Sequence, residues 1–106
     1  MNVFELEQVE ERELAPGFFA RMVHSANMTF AYWRILEGSD LPDHTHPHEQ
    51  VFNLLEGTFE LRVSGESRVF TPGTVVVIPS GAPHSGKAVT DCRILDVFYP
   101  VREDYR

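Results

Sequence analysis

An all-β fold, a sandwich or barrel of antiparallel strands, is what this sequence predicts, on three observations. Short runs rich in aromatic and β-branched residues recur along most of the chain. Turn residues, chiefly Gly and Pro, separate those runs. No stretch shows convincing helical amphipathicity, which leaves sheets to bury one another. At 106 residues the chain makes one domain with a single core, and neither a repeat nor a linker divides it.

The elements follow in order. Residues 1–16 form an N-terminal edge segment, whose charge-dense run from Phe4 to Leu14 suits a solvated edge strand or a short helix. Ala15-Pro16-Gly17 punctuates it. Phe18 to His24 reads as a strand, Ser25 to Asn27 as a turn, and Met28 to Leu36 as a second strand. Gln50 to Glu56 is a third. Phe59, Leu61 and Val63 alternate with Glu60, Arg62 and Ser64, the mark of a half-buried strand. Ser64-Gly65-Glu66 turns the chain into Arg68 to Phe70, and Pro72-Gly73 makes a sharper turn. Val75 to Ile78 is a continuous apolar run, which predicts cover on both faces. Arg93 to Tyr99 is the last strand, stopped by Pro100.

Charge and cysteine content narrow the function classes. With 9 Lys and Arg against 16 Asp and Glu, the net charge is −7 and the pI near 5.1. Nucleic acid asks for a basic face, so it is not an expected partner. An anionic small molecule remains compatible, because one arginine can dominate a pocket. Cys92 stands alone, which excludes an intramolecular disulfide and suits a reducing compartment; it reads as a small buried apolar residue. The N-terminus is acidic where a signal peptide is basic and then apolar, and no run approaches membrane-spanning length. The expectation is a cytoplasmic protein with no membrane partner.

The densest chemistry lies in Gly38-Ser-Asp-Leu-Pro-Asp-His44-Thr-His46-Pro-His-Glu-Gln50, followed by Gly57. Histidines two apart share a face of a strand, and Gln50 keeps the even offset if the strand resumes after Pro47. Glu49 falls at the odd offset and should point away. His48 follows the proline and reads as a rim residue, and His24, outside every motif, as structural. Further on, Gly73-Thr-Val-Val-Val-Ile-Pro79-Ser-Gly81-Ala-Pro-His84 adds a histidine framed by Gly and Pro. Three imidazoles and an amide oxygen on one point suit one divalent transition metal, with Ni, Zn, Fe, Mn and Cu all compatible.

These two segments resemble the motifs of the cupins. The first motif, G-x5-H-x-H-x(3,4)-E-x6-G, is met over residues 38–57 at Gly38, His44, His46 and Gly57, with Gln50 in the glutamate's place. The second, G-x5-P-x-G-x2-H-x3-N, is met over 73–88 at Gly73, Pro79, Gly81 and His84, with Ala88 in place of Asn. The resemblance implies a cupin antiparallel β-barrel or jelly roll with metal bound by His44, His46, Gln50 and His84. Three neutral imidazoles and a neutral amide leave the ion's +2 charge uncompensated, which favours polarising a substrate oxygen over visiting a +3 state.

The C-terminal run Leu95-Asp96-Val97-Phe98-Tyr99-Pro100-Val101-Arg102-Glu103-Asp104-Tyr105 narrows the resemblance. An aspartate in mid-strand among apolar residues is costly without a partner. The pattern D-x-F-x-P-x-R-E-D, joined to HxHPHEQ, resembles the small cupins of pectin and alginate breakdown that linearise 4,5-unsaturated monouronates. That family uses three histidines and a glutamine for metal, and an aspartate, a phenylalanine and an arginine matching Asp96, Phe98 and Arg102. It implies a non-redox enzyme that opens or tautomerises a small sugar acid. Asp96 would shuttle a proton, Arg102 hold a carboxylate and Phe98 pack on the ring. Without that resemblance, Asp96 could pair structurally and Arg102-Glu103-Asp104 be a solvated cluster. The same ligands also serve two other readings, a metal-dependent dioxygenase and a non-catalytic binding or sensing cupin. A homodimer joined through an edge strand is the assembly the resemblance implies.

Overall fold

The computed structural model describes Met1–Arg106. Ten strands make up the fold: β1 (Glu11–Ala15), β2 (Phe18–His24), β3 (Thr29–Ile35), β4 (Asp40–His44), β5 (Glu49–Glu56), β6 (Phe59–Val63), β7 (Glu66–Phe70), β8 (Val75–Ile78), β9 (His84–Ala88) and β10 (Cys92–Tyr99). The only helical pieces are 3-10 turns at Leu6–Gln8 and Glu103–Tyr105. The N-terminal segment therefore holds both a short helical turn and an edge strand.

Two antiparallel sheets face each other in a jelly roll. One has six strands in the order β1-β2-β3-β10-β5-β8, the other four in the order β4-β9-β6-β7. Alternation puts Phe18, Ala20, Ala31, Trp33, Ile35, Phe52, Leu54, Ile94 and Phe98 on the inner face of the larger sheet. Phe59, Leu61 and Ala88 answer from the smaller one. Gly86 of β9 leaves room for the Phe59 ring of the neighbouring β6, since a Cβ there would lie 2.4 Å from that ring. Gly57, with φ +88°, turns β5 into β6 where a Cβ would lie 2.1 Å from the Asp91 carbonyl oxygen.

Two expectations need correction. His44 ends β4, but His46 lies in the connection before β5, so the loop rather than strand alternation aims its ring. Val75 to Ile78 is not covered on both faces within the chain. It is an edge strand with Ile78 buried and Val75 and Val77 each 59% exposed. Apolar sequence on both faces does not reveal whether a partner layer exists.

Candidate metal centre

The first and second motifs meet at one end of the sandwich. His44 and His84 are cross-strand partners of β4 and β9. Gln50, the second residue of β5, lies opposite Phe98 of β10. The second motif's turn clamps the connection that carries His46: the Gly81 N–H donates to the His46 carbonyl at 3.0 Å, and the Ser80 hydroxyl donates to the Pro47 carbonyl. The nitrogen donors of His44, His46 and His84 lie within 4.8 Å of one another.

Each ring is held in one tautomer. Nδ1 faces a backbone carbonyl in every case: Pro42 for His44 at 2.9 Å, His48 for His46 at 3.0 Å and Ala82 for His84 at 2.9 Å. A carbonyl only accepts, so each Nδ1 carries a hydrogen, and Nε2 is the nitrogen left to offer a lone pair inward. Burial, then the Arg102 charge, pushes His46 down to about 4. Burial also lowers His84, whose Nε2 has no hydrogen-bond partner. Orphaned buried nitrogens are costly unless something cationic satisfies them.

Gln50 strengthens the case. Its Oε1 stands 3.1 Å from His46 Nε2, two acceptors facing each other with no hydrogen between them. Two ligands of one bound ion can stand about 3 Å apart, so an ion held by both groups would relieve this repulsive contact. The donor set of three imidazoles and an amide oxygen fits a divalent transition metal on this structure's own geometry.

Asp96 sits in the same interior on β10, only 7% exposed, with Oδ1 lacking any partner. Burial pushes its carboxyl up to about 7, while the Gln50 amide and the Trp33 indole pull it down less strongly. A carboxylate that feels the Gln50 N–H group turns the amide oxygen toward His46.

Arg102 is buried, not part of a solvated cluster. Its Nε and Nη2 donate to the two Asp104 oxygens at 3.2 and 2.7 Å, and its guanidinium lies 3.8 Å from the Tyr105 ring centroid and 4.9 Å from that of Phe98. The Arg102 N–H donates to the Thr29 hydroxyl at 2.9 Å, which also meets His24 Nδ1 at 2.8 Å. Phe98 is fully buried, edge-on to His46 and Tyr105. His48 is half-buried beside His46, and Glu49 points to solvent, as its offset predicts.

A cavity of about 50 Å³ collects these groups, with His44, Gln50, His84, Asp96, Phe98 and Arg102 in its wall. His46 stands beside it against Phe98. Trp33 and Tyr105 also line it, and the sequence reading assigned neither a role. Trp33 was findable, at an even offset from Thr29 and Ala31 on one strand. Tyr105 follows Arg102 by three residues, one 3-10 turn, which brings the two side chains together once that turn is known.

Known proteins share this shape. KdgF from Halomonas sp. superposes with a TM-score of 0.93 at 25% identity, covering 100% of this chain and 99% of that one. An RmlC-like cupin from Shewanella frigidimarina NCIMB 400 gives 0.89 at 28% identity, covering 94% and 91%. Oxalate decarboxylase from Bacillus subtilis gives 0.80 at 25% identity, covering 92% of this chain but 29% of that longer one. No curated protein sequence matches significantly. The Cupin domain family matches residues 31–98, which span β3 through Phe98 and so include all three histidines, and the chain belongs to that family.

Proposed function

We propose that this protein is a non-redox enzyme that opens or tautomerises the ring of a small sugar acid, an unsaturated monouronate being the substrate class that fits best. The observation that carries the reading is Asp96: a buried carboxyl with a free oxygen, pushed up to about 7, in the wall of the same cavity as His44, Gln50 and His84. Such a group exists in both protonation states near neutral pH, which a proton carrier needs. The resemblance to the pectin-degradation cupins, and a full-length match to KdgF at 25% identity, support the substrate class.

His44, His46, Gln50 and His84 would hold one divalent ion, which supplies Lewis acidity toward a substrate oxygen when bound. Asp96 takes a proton from one ring position or hydroxyl and returns it to another, with the Gln50 amide and the Trp33 indole favouring its charged form against burial. Arg102 binds the substrate carboxylate, with Phe98 and Tyr105 bracing the guanidinium through its faces. Asp104 now holds the Nε and Nη2 edge, so the substrate carboxylate either displaces it or takes the remaining Nη1 donors. A cavity of about 50 Å³ holds a few waters.

One observation favours a second reading, a non-catalytic binding cupin. The Arg102 fork is already satisfied by Asp104, which is what a purely structural arginine requires. The test is to incubate the metal-loaded protein with an unsaturated monouronate and follow loss of the conjugated double bond's absorbance. Decay faster than the spontaneous rate, abolished by removing the metal, supports the enzyme. Decay at the spontaneous rate with and without metal sinks it for that substrate and favours the binding module.

A further inference from the structure

We infer that Thr29 is a positioning residue for Arg102, with His24 as its brace: the Thr29 hydroxyl fixes where the guanidinium stands in the cavity. The inference rests on the proposed role of Arg102 as the group that binds a carboxylate.

β10 ends at Tyr99, so Arg102 lies beyond the last ladder bonds and something else must place it. Most of its contacts cannot. Asp104 and Tyr105 belong to the same tail, and the Tyr105 N–H donates back to the Arg102 carbonyl at 3.1 Å, so all of these travel with Arg102. Two polar ties hold the tail to the sheets. Arg12 Nη2 donates to the Tyr105 carbonyl at 2.7 Å, and the Arg102 N–H donates to the Thr29 hydroxyl at 2.9 Å. Only the second reaches the residue that carries the charge.

Register explains why Thr29 can do this. His24, Thr29, Phe98 and Gln50 are successive cross-strand partners over β2, β3, β10 and β5. Along this row Gln50 offers its amide oxygen, Phe98 faces the guanidinium, and Thr29, fully buried, comes next. A β-branched side chain is stiff at χ1, so its hydroxyl has one aim. The Arg102 N–H can only donate, so the hydroxyl oxygen accepts it. That leaves one hydrogen to give, and His24 Nδ1 at 2.8 Å is the acceptor that meets it. His24 thereby turns a Thr29 lone pair toward Arg102. Without the hydroxyl, the buried Arg102 amide has to find water, and the tail carries the guanidinium away from the cavity.

The test sets Thr29→Val, nearly the same shape without the hydroxyl, beside Thr29→Ser, which keeps it, in the metal-loaded chain. Hydrogen exchange of the Arg102 amide should quicken by about tenfold or more in Thr29→Val and stay near the wild-type rate in Thr29→Ser. On an unsaturated monouronate Thr29→Val should raise KM by about tenfold with kcat within about twofold, because Asp96 and the metal donors are untouched. Thr29→Ser should restore KM. His24→Leu should move both readouts the same way by a smaller factor, and decides the matter if Thr29→Val does not fold; an unmoved His24→Leu overturns the part given to His24. Unchanged Arg102 exchange in Thr29→Val overturns the inference, as does a fall in kcat at constant KM. So does a Thr29→Ser variant no better than Thr29→Val, because the methyl is then what matters. A wild type that leaves the uronate unchanged overturns the functional reading instead, and the inference then stands or falls on the exchange rate of the Arg102 amide.

Discussion

The two ends of one sandwich interior have opposite chemistry. At the closed end Ile35, Leu54, Ala88, Cys92 and Ile94 pack with no polar side chain among them except the Cys92 thiol, whose pKa burial raises. At the mouth lie His46, Gln50, His84, Asp96 and Arg102, all buried and, with Thr29, the whole buried polar complement of the chain. The strands are shared: β10 supplies Ile94 to one end and Asp96 and Phe98 to the other. One end is therefore built for stability and the other spends it, because each buried polar group at the mouth costs free energy until ligand, metal or neighbour satisfies it. The comparison can be broken from either side.

The largest effect should come from Asp96→Asn. Asparagine keeps the shape but cannot carry a proton at neutral pH, so turnover of an unsaturated uronate should fall by about 10²–10⁴-fold. Metal content, read by elemental analysis, should stay near one ion per chain, whereas His46→Ala should lose most of it. Turnover equal to wild type would make Asp96 structural.

At the closed end, Leu54→Ala should cost about 2–5 kcal/mol of stability in a denaturant titration, because it leaves a cavity in a rigid core. The folded fraction should still bind metal at the wild-type ratio. Loss of metal affinity in step with stability would show that the two ends are not separable.

A smaller effect concerns pH. In the metal-free protein His46 is held near 4 against an ordinary 6.5, so between those values the unfolded chain takes up a proton the folded one refuses. Its contribution to stability therefore rises with pH across that window. Asp96, at about 7 against 3.8, does the reverse: the folded chain keeps a proton that the unfolded chain has lost, so its contribution falls as pH rises. The two slopes oppose each other from about pH 4 to 6.5. Asp96→Asn removes the falling one, so the metal-free variant should gain more stability between pH 4.5 and 6.5 than wild type does. Equal gains by chemical unfolding would contradict the burial of Asp96 as its cause.

The smallest effect is Gln50→Glu. A carboxylate should tighten metal binding and reduce turnover, because it removes one unit of the site's net charge. Unchanged turnover on a verified substrate would show that this charge is not what matters.

How much of this was readable in advance varied with the kind of interaction. Seven of the nine strands from Phe18 onward appeared within a residue or two of their sequence limits, because alternation and turn residues are local signals; β4 and β9, which carry the histidine motifs, had no such limits. The four donors were readable for the same reason, as their spacing is written into two short motifs. Thr29 and Tyr105 escaped, since nothing near them in sequence says what a buried strand or tail residue meets, whereas the even offset of Trp33 from Ala31 at least placed it on the inner face. Arg102 was left between a binding and a solvated role, and its burial against Phe98 rests on packing between the tail and β10.

The sequence by itself determined an all-β cupin with three histidines and a glutamine in matched frames, because periodicity and motif spacing act within a few residues along the chain. Only the tertiary structure decided that Nδ1 of each histidine is tied to a carbonyl, that Gln50 faces His46 at 3.1 Å, and that Asp96 is buried with an unpartnered oxygen. It also decided that Arg102 already has a partner in Asp104 and that one face of the larger sheet is bare. Burial and the orientation of a lone pair depend on groups distant in sequence, and those meet only when the two sheets close.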